Sequence, residues 1–579
     1  MSGRKYCFLF KRYFIFGASL VCLATALSGP ASAQVAEATG TADPTRVQDR
    51  FLEQERLPGV EPTVEVRQGP TVQAPEGADQ VQFYLETLQI DGVGVYAAQD
   101  LDPLYRGKLG TTVTLAEVFD IANAIATKYR NDGYVLTQVV VPPQTIEGGV
   151  VRLQVVEGFI DQVIVQGVDK ETEADLIRRL ASNLKSGKAM NTKDLERNLL
   201  LINDLPGVTA RSILSPSKTT TGGADLTVIV ERDKYEGQVG FDNFGSRFLG
   251  EYEGQVGGTI NSMFGLNDRM SAQFVMAGDN REQVDELLFG SVSYEIPVGT
   301  QGTTVKLLTS LTSTEPGYTL REFDVHGRSQ LVAGTVSHPF VRSRNLNVYG
   351  YGTFDIRKVD SKNNIEATRE DRITSIRAGA QAQYVDTLIG VGVNSAHLEL
   401  SHGLKLFGAS DKGDSNLTRQ FGDPQYFKAE LNLQRLQRVT SKVNFLVAGE
   451  GQWSAVPLLS SEEFGVGGVG IGRGYDPSEI VGDDGIAGKV EVQWNEPYPL
   501  SAIEDYQIYG FFDIGTVWNQ DATTSSDKRE SISSTGLGVR ADITENTKAG
   551  VAVAFPLTRE VDARGDKDPR YYVNVNHSF

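Results

Sequence analysis

The feature that most constrains this chain is a long alternation of apolar and polar residues, which begins near Tyr235 and continues to Phe579. One clear stretch is Ile376, Ala378, Ala380, Ala382 and Tyr384, which alternate with Arg377, Gln381 and Gln383. Successive side chains of a β-strand point to opposite faces, so this pattern indicates strands with one apolar face and one polar face. Helical periodicity is nearly absent from the same region. More than half of the chain is therefore expected to form one large antiparallel β structure.

A closed membrane barrel accounts for this region better than a soluble β-sandwich. A sandwich can show the same alternation on single strands, but here it persists over the whole region, and aromatic residues lie near the strand ends. The final segment places Tyr571, Val573, Val575 and Phe579 on one side. Membrane strands of about 9 to 11 residues, joined by connections of similar length, would give about sixteen strands. We predict a transmembrane antiparallel β-barrel over residues 234–579, with a water-filled lumen unless a segment plugs it.

The first 33 residues have the pattern of an export signal. Basic residues precede an apolar run over residues 13–27, and Ala31-Ser32-Ala33 matches a small-residue cleavage site. We therefore predict a signal peptide at residues 1–33. Both cysteines of the chain, Cys7 and Cys22, lie in it, so no thiol site or disulfide is expected in the exported protein. A formal net charge of −19 disfavours nucleic acid as a partner.

Residues 34–79 combine a short helical pattern with a linker. The segment is polar and contains five prolines, at positions 44, 58, 62, 70 and 75, so no packed core fits it. Residues Thr45 to Leu57 nevertheless fit one helix, with Val47 and Phe51 on a common side and Pro58 ending it. We predict an N-terminal helix followed by a proline-rich linker, and this helix is a candidate plug for the barrel lumen.

Two segments between this linker and the barrel show a similar order of elements. Residues 80–158 show a β-rich stretch, one helical pattern and two short β runs, at 81–95, 115–129, 134–141 and 150–156. Residues 159–233 show a strand, two helical patterns and two further strands, at 162–166, 174–184, 192–205, 208–214 and 225–231. Gly133 and Pro206-Gly207 provide helix stops. The sequence predicts two tandem α+β modules that repeat an architecture with little identity between them.

One loop of the predicted barrel combines many glycines with a single arginine. Arg473-Gly474-Tyr475 closes the glycine-dense run that starts at Phe464, and Asp513 lies about forty positions later in the strand-like Phe511 to Gly515. A guanidinium buried in a channel needs a partner, and its planar fork can form two hydrogen bonds to a carboxylate. Asp513 is a candidate because one face of its strand must line the lumen. The alternative is two solvated charges worth about 0 to 1 kcal/mol as a pair, and the residues alone leave both interpretations open.

Motifs for enzyme chemistry lack the context that they need. Gly465 to Gly470 matches G-x-G-x-x-G, but a dinucleotide site needs a strand before the glycines and a helix after them, and this run leads into Arg473. The five histidines show no metal-ligand spacing, and the sequence contains no P-loop and no G-x-S-x-G motif. We therefore expect a protein that is not an enzyme, with no catalytic residue, no metal and no cofactor.

Together these features closely resemble two-partner secretion transporters of the haemolysin secretion/activation type. The resemblance covers the predicted exported chain and includes several motifs within the barrel. These motifs are Asp242 to Ser246, Ser337-His338-Pro339-Phe340, Arg342-Ser343-Arg344, Gly470 to Tyr475, Gly482-Asp483-Asp484-Gly485, Phe511 to Gly515 and terminal Phe579. The resemblance implies that residues 80–158 and 159–233 are polypeptide-transport-associated (POTRA) domains. It also implies that the remainder is the family's sixteen-stranded outer-membrane barrel.

The resemblance further assigns roles to single residues. In this family a long extracellular loop folds back into the lumen and carries V-R-G-Y/F at its tip, whose arginine pairs with an aspartate of the barrel wall. The positions concerned are Arg473, Gly474 and Tyr475 at the tip, Asp513 on the wall, Phe511 and Gly515 beside it, and Phe579 as the barrel-insertion signal. The lid loop is expected near residues 464–488. Gly472 stands where valine is usual, and we expect it to loosen the tip backbone without removing the charge pair.

The function that the resemblance implies is export. An unfolded adhesin- or haemolysin-like exoprotein with an N-terminal secretion domain would dock on the POTRA domains in the periplasm and thread through the barrel without nucleotide. The expected location is the outer membrane, with its lipid and the barrel assembly machinery as further partners, and the protein is expected to be a monomer. An outer-membrane protein insertase of the same superfamily is the nearest alternative, although those relatives usually carry three or more POTRA domains. A passive porin would not explain the modules, and a soluble enzyme or adhesin would leave Phe579 without a use.

Overall fold

The computed structural model describes residues 42–52 and 73–579, except 169, 186, 280–282, 365–367, 497–502, 523 and 525–527. The predicted signal peptide lies outside these residues. The predicted N-terminal helix is present as α1 (Pro44–Leu52), and its expected continuation to Leu57 lies outside the described residues, as does most of the linker. None of the helices in the described part of the chain is long and apolar enough to cross a bilayer.

The first module packs one long helix against a small sheet. Its elements are β1 (Gln82–Leu85), β2 (Thr87–Asp91), α2 (Ala98–Leu101), β3 (Thr111–Thr114), α3 (Leu115–Asn131), β4 (Gln138–Val140) and β5 (Val150–Val156). Strand β2 pairs in parallel with β5, and β4 pairs antiparallel with β5. Thr114 accepts a hydrogen bond from the N–H of Glu117, whose side chain accepts one in return, so α3 begins with a capping box. Gly133, with φ of +95°, follows its end, as the sequence predicts.

The second module repeats this topology with two helices. Its elements are β6 (Phe159–Gln166), α4 (Glu171–Ser182), α5 (Thr192–Asn203), β7 (Val208–Pro216) and β8 (Gly223–Arg232). Strand β6 pairs in parallel with β8, and β7 pairs antiparallel with β8. Both helices bury an apolar face in one core, which includes Ile177 and Ile202. The predicted architectural repeat is confirmed.

Several predicted elements of the modules have different bounds, and β6, for example, begins at Phe159, three positions before its predicted start. The strand predicted over 134–141 is reduced to β4. The backbone from Tyr134 to Thr137 forms a turn, in which the Tyr134 carbonyl accepts a hydrogen bond from the N–H of Thr137. The Tyr134 ring packs edge-on against Tyr129. Helix α4 begins at Glu171, three positions before the predicted start. Acidic side chains occupy its first turn, where the unpaired N–H groups of a helix favour them.

The C-terminal region forms a closed antiparallel barrel of sixteen strands. Its strands are β9 (Tyr235–Asp242), β10 (Tyr252–Asn261), β11 (Arg269–Asp279), β12 (Gln283–Val298), β13 (Thr303–Thr314), β14 (His326–Arg342), β15 (Leu346–Lys362), β16 (Arg369–Asp386), β17 (Gly392–Gly403), β18 (Phe427–Arg438), β19 (Val443–Ser454), β22 (Asp484–Glu496), β23 (Asp505–Trp518), β24 (Arg529–Thr544), β25 (Thr547–Pro556) and β26 (Arg570–Ser578). Each strand pairs with its neighbour in this order, and β26 pairs with β9 to close the sheet. The predicted fold class and strand number are confirmed.

The alternation in the sequence separates a lipid face from a lumen face. On β22, Val490, Val492 and Trp494 are exposed on the outer surface, whereas Glu491 and Gln493 are buried inside. Closure of the barrel leaves no sheet edge with unpaired backbone groups. A β structure can cross a membrane only when all of these groups are paired. The apolar-out, polar-in prediction is therefore confirmed on this strand.

The second module is docked against one end of the barrel. Asp204, which follows α5, forms a two-fold ion pair with Arg342 at the end of β14, at 2.8 and 2.9 Å. Glu196 of α5 accepts a hydrogen bond of 2.7 Å from the backbone N–H of Arg344 in the following turn. This end of the barrel is thereby defined as the module side, and the connection between β19 and β22 opens at the opposite end.

Candidate functional site

The connection between β19 and β22 folds back into the barrel. It covers residues 455–483, which we call the lid loop, and it includes a short hairpin of β20 (Phe464–Val466) and β21 (Ile480–Gly482). Val466 and Tyr475 of the lid loop are buried in one apolar cluster with Val517 of the wall. The tip is therefore packed against the inner wall and shielded from solvent.

The lid loop differs in extent from the sequence-based expectation of residues 464–488. Residues 484–488 belong to β22, where they pair in register with β23. Gly485 and Gly488 in this stretch have no side chain with which to mark a face, so alternation could not separate strand from loop there.

Arg473 at the loop tip binds Asp513 of β23 through three separate donors. Its backbone N–H and Nε donate to Oδ2 of Asp513 at 3.0 and 2.9 Å, and Nη2 donates to Oδ1 at 2.8 Å. Asp513 is fully buried, and the Arg473 side chain is only 7% exposed. Burial lowers the pKa of the Arg473 guanidinium, but the hydrogen bonds and charges of Asp513 and of Glu491 on β22 together outweigh it, so the pKa is raised above its ordinary value. The structure thus brings together the two residues that the sequence nominated as partners.

Glu491 of β22 is a second carboxylate at this site, which the sequence analysis did not assign. Its Oε2 accepts a bond of 2.7 Å from Nη1 of Arg473, and its Oε1 accepts one of 2.8 Å from Arg540 of β24. Alternation had placed Glu491 on the polar face of its strand. Nothing in the sequence indicated that this position lies at the height of the loop tip, because height depends on strand register.

Two aromatic side chains complete the contact. The ring of Phe511 lies under the Arg473 guanidinium, with its centroid 3.5 Å from the central carbon, a cation–π arrangement. The Tyr572 hydroxyl on β26 donates to the Arg473 carbonyl at 2.5 Å. Phe511 was expected here as a supporting residue, whereas Tyr572 was missed. Side chains of β22, β23 and β26 all bind Arg473. These contacts hold the residue in one position, and the two carboxylates balance its positive charge.

Gly474 and Tyr475 hold the loop tip against β25 and the connection that follows it. The Tyr475 hydroxyl accepts bonds of 3.2 Å from the backbone N–H groups of Thr558 and Arg559. A Cβ atom at Gly474 would lie 2.8 Å from the backbone nitrogen of Pro556. Glycine is needed at this position because two backbone segments approach each other too closely for a side chain.

The substitution Gly474→Ala is expected to displace the lid tip and to reduce export about tenfold, the usual scale of a forced overpacking. The matched control is Gly470→Ala, since no atom lies within 4 Å of a Cβ built there. Secretion of a partner exoprotein, measured at equal levels of folded barrel, checks the expectation. Equal export by the two variants would contradict it.

Gly472 does not loosen the tip in the way that the sequence suggested. Its φ of +103° is a conformation that favours glycine, and its N–H donates to Oδ2 of Asp513 at 3.1 Å. Gly515 on the wall has a related role, because a Cβ there would lie 2.5 Å from a methyl group of Val466. Both glycines permit close packing, so the glycine-rich run is held in place by its contacts.

A second polar contact of the lid loop was also missed by the sequence analysis. Asp476 forms a buried ion pair with Arg570 at the start of β26. Nearby, the Glu479 carboxylate accepts bonds from the backbone N–H groups of Asp476 and Asp562. Burial, reinforced by the Asp476 carboxylate, nevertheless raises the pKa of Glu479 to about 8. At neutral pH this contact therefore involves a largely protonated Glu479.

The raised pKa of Glu479 predicts a pH dependence of lid packing. A carboxyl group whose pKa is raised in the folded state stabilises that state fully below its ordinary value of 4.5, and this contribution is lost as the pH rises through about 8. Amide hydrogen exchange of the lid loop is expected to be about a hundredfold faster at pH 9 than at pH 6, after correction for intrinsic rates, because two pH units separate pH 6 from a pKa of about 8. The Glu479→Gln variant should lose this extra dependence. A wild-type lid equally protected at both values would contradict the assignment.

Helix α1 occupies another part of the lumen. Its residues Val47 and Phe51 are buried in a cluster with wall residues that include Val275 and Leu287. The Phe51 ring centroid lies 5.2 Å from that of Phe289 on β12. The side shared by Val47 and Phe51, which the sequence predicted, is the side that packs on the wall.

The other side of α1 is held by polar contacts that join it to the wall and to the lid loop. Gln48 donates to Ser310 and accepts from Ser329, both at 2.8 Å. Arg357 on β15 forms an ion pair of 2.7 Å with Asp49. Arg46 donates to Glu463 of the lid loop at 2.9 Å. The helix and the lid loop therefore obstruct the lumen together and touch each other.

Phe579 closes the last strand pair. Its N–H and carbonyl exchange bonds of 2.9 and 2.8 Å with Gly237 of β9. Among the described residues, no group of His, Cys, Asp and Glu side chains has an arrangement that could hold a metal ion. The site is thus a set of internal contacts between a lumen wall and two segments of the same chain.

Two family models match the chain. The model for "Haemolysin secretion/activation protein ShlB/FhaC/HecB" matches residues 222–541, and the model for the ShlB-type POTRA domain matches residues 83–158. The first match covers more than half of the chain.

Characterised relatives and a solved structure are similar over most of their length. The Heme/hemopexin transporter protein HuxB of Haemophilus influenzae (strain 86-028NP) is 22% identical over 468 residues, which is 80% of this chain and 81% of that protein. The Hemolysin transporter protein ShlB of Serratia marcescens is 24% identical over 453 residues, 76% of this chain and 77% of its own. The structure of CdiB from Escherichia coli matches with a TM-score of 0.70 at 19% identity, and covers 96% of this chain and 100% of that one. This last similarity concerns the fold.

Proposed function

Because the chain belongs to the haemolysin secretion/activation family ShlB/FhaC/HecB, we propose that it exports one partner exoprotein through its barrel lumen to the cell surface. The family consists of outer-membrane transporters that serve secreted partner proteins, and the POTRA domains lie in the periplasm. The proposed cargo is a haemolysin- or adhesin-like exoprotein with an N-terminal secretion domain. The name of ShlB, a hemolysin transporter protein, supports a haemolysin-like cargo, whereas HuxB is named as a heme/hemopexin transporter protein.

The observation that carries the proposal is how the lumen is closed. A barrel of sixteen strands encloses a channel wide enough for water and solutes unless something fills it. Here the filling consists of the lid loop and α1, and ion pairs such as Arg473–Asp513 and Asp49–Arg357 bind them to the wall. When a segment leaves the wall, the charged groups of these ion pairs can be hydrated by water in the lumen. Side chains of a continuous apolar core could not form such compensating contacts with water. We infer that both segments leave their places during transport.

The first contact with cargo is proposed at the POTRA domains. An extended, unfolded segment can add to a free edge of a small sheet through main-chain hydrogen bonds, with little demand on its sequence. Strands β6 and β7 are the edges of the second sheet, and β7 carries Ile213 exposed to solvent. The second module is docked beside the barrel end through Asp204 and Arg342, so a captured segment lies near the lumen entrance.

Transport is proposed to proceed without nucleotide. The sequence contains no P-loop motif that could bind a nucleotide phosphate. Folding of the cargo outside the cell would make each forward step hard to reverse. The outer-membrane lipid and the barrel assembly machinery are the other partners that we propose, and we propose that the protein acts as a monomer. It is proposed to have no enzymatic activity.

The experiment that tests this function is a secretion assay with a candidate exoprotein gene from the same genome. Cells that express the exoprotein alone and cells that express both proteins are compared for exoprotein at the surface and in the medium. We expect surface exoprotein only when both are present, and unchanged levels of other outer-membrane barrels. Loss of other barrels in a strain without this chain, together with unaffected exoprotein, would instead support an insertase.

A further inference from the structure

The outer wall of the barrel carries a groove that faces the membrane. It runs across β11 to β14, has a volume of about 450 Å³, and is lined on the lipid side by Phe274, Leu288, Gly290 and Leu311. Arg328 and Gln330 line its far end. Phe289, Thr312 and Ser329 also line the groove, and their buried side chains belong to the inner side of the wall, where Phe289 and Ser329 contact α1.

The groove exists because one strand lacks a side chain where its neighbours have large ones. A Cβ at Gly290 would meet only the carbonyl oxygen of Gln273, at 4.0 Å. On either side, Phe274 and Leu311 stand out from the wall and are 44% and 59% exposed. An apolar channel between two raised side chains suits a hydrocarbon chain through packing and shape, because the surrounding lipid is itself apolar and provides no hydrophobic driving force.

The far end of the groove lies at the level of outer-leaflet headgroups. On β14 the lipid face starts at Phe340, next to the docked POTRA domain, and continues through Val336 and Val332. Arg328 lies twelve residues from Phe340 on the same face. A strand that rises about 3.4 Å per residue at a tilt of about 40° covers roughly 30 Å of height over that span. The apolar band of a membrane barrel is about 25 Å tall, so Arg328 stands just beyond its extracellular edge.

Arg328 is the uncompensated cation of this part of the wall. Lys358 lies 3.1 Å from Asp360, and Arg372 lies 2.5 Å from Glu370, so both neighbouring cations have carboxylate partners. Arg328 is exposed, and no carboxylate in the described part of the chain lies within ion-pairing distance of it. Asp360 is opposite Arg328 in the strand register, but it binds Lys358.

We propose that this groove binds a phosphorylated, acylated lipid of the outer leaflet. One acyl chain lies over Gly290 between Phe274 and Leu311, and a headgroup phosphate accepts hydrogen bonds from the Arg328 guanidinium. Arginine suits this task because its planar fork matches two phosphate oxygens. The proposal depends on the outer-membrane location of the barrel and is independent of cargo export.

The test uses the full-length protein, purified in detergent and titrated with fluorescent diphosphorylated lipid A. Arg328→Gln is expected to bind it about tenfold more weakly, the scale of one lost charge-assisted contact. Arg372→Gln is the matched control, an arginine on the same face that has a carboxylate partner, and should change binding less than about twofold. Arg328→Lys should recover part of the loss. Gly290→Leu, which fills the groove, is expected to weaken binding although Arg328 is intact.

Two further comparisons make the outcome decisive. Dephosphorylated lipid A should bind wild type and Arg328→Gln equally, because the contact removed is to phosphate. Heat resistance on electrophoresis verifies that every variant is a folded barrel. The proposal is overturned if Arg328→Gln and Arg372→Gln weaken binding equally, if removal of the phosphates leaves wild-type affinity unchanged, or if Gly290→Leu binds as wild type does.

Discussion

Replacing Arg473 or Asp513 with alanine is expected to lower export about a hundredfold or more, while the barrel still inserts in the outer membrane. Arg473→Ala leaves Asp513 buried without its cation, and Asp513→Ala leaves the guanidinium with Glu491 as its remaining carboxylate. Removing one partner of a buried ion pair costs roughly 3 to 5 kcal/mol. That cost falls on the docked state of the lid loop, because Arg473 is one of the residues that join its tip to the wall. A tip that loses its defined position is expected to block the path of the cargo, so export falls. Surface exoprotein, measured at equal amounts of heat-resistant barrel, is the readout.

The controls for this prediction come from the same network. Arg540→Ala removes a guanidinium that also binds Glu491 but is 47% exposed, and we expect it to affect export little. The double variant without Arg473 and Asp513 should be less impaired than the two single effects combined, since no unpaired charge is left. Normal secretion by both single variants would refute the assigned role.

Deleting residues 34–79 is expected to raise single-channel conductance severalfold in planar bilayers. The deletion removes α1, whose contacts with Ser310, Ser329 and Arg357 hold it inside the lumen. The lid loop also loses the contact between Arg46 and Glu463. Ions can then pass through the part of the cross-section that the helix filled.

A point variant separates the helix from the rest of the deleted segment. Phe51→Asp introduces a carboxylate into the apolar contact with Phe289, which is unfavourable without a partner. We expect more frequent open-channel events with the helix still attached to the chain. Conductance equal to wild type in both the deletion and Phe51→Asp would rule out α1 as the plug.

The chemistry of Arg473 and Asp513 made them candidate partners but left two solvated charges as an alternative, and the resemblance to the family assigned the pairing. A permanently charged side chain inside a barrel needs a carboxylate, and alternation indicated a strand with Asp513 on one face. The same logic could not identify Glu491 or the Asp476–Arg570 pair. Each of those contacts depends on strand register and on the path of the loop across the lumen. Those are long-range properties of the closed sheet.

The fold was predictable where a local pattern determines it. The helical pattern over residues 115–129 and the helix stop at Gly133 predicted α3 from neighbouring residues alone, and the capping box at Thr114 in the structure is a local feature of the same kind. The barrel followed from a two-residue period sustained over many strands. The start of β22 was missed because Gly485 and Gly488 conceal the period, and Tyr134 was assigned to a strand although its ring forms part of an aromatic cluster. In both places, contacts with residues distant in the sequence determine whether the backbone forms a strand or a loop.

The central claim is that cargo passes through the lumen, and two adjacent residues of β23 test it directly. Gln507 bonds to Asn495 across the inner wall, whereas Ile508 is exposed on the lipid face. A photo-crosslinking amino acid is placed at each position in turn, and exoprotein is trapped during export. We predict crosslinks to cargo from position 507 and none from position 508. Cargo crosslinked at position 508, with none at position 507, would contradict transport through the barrel.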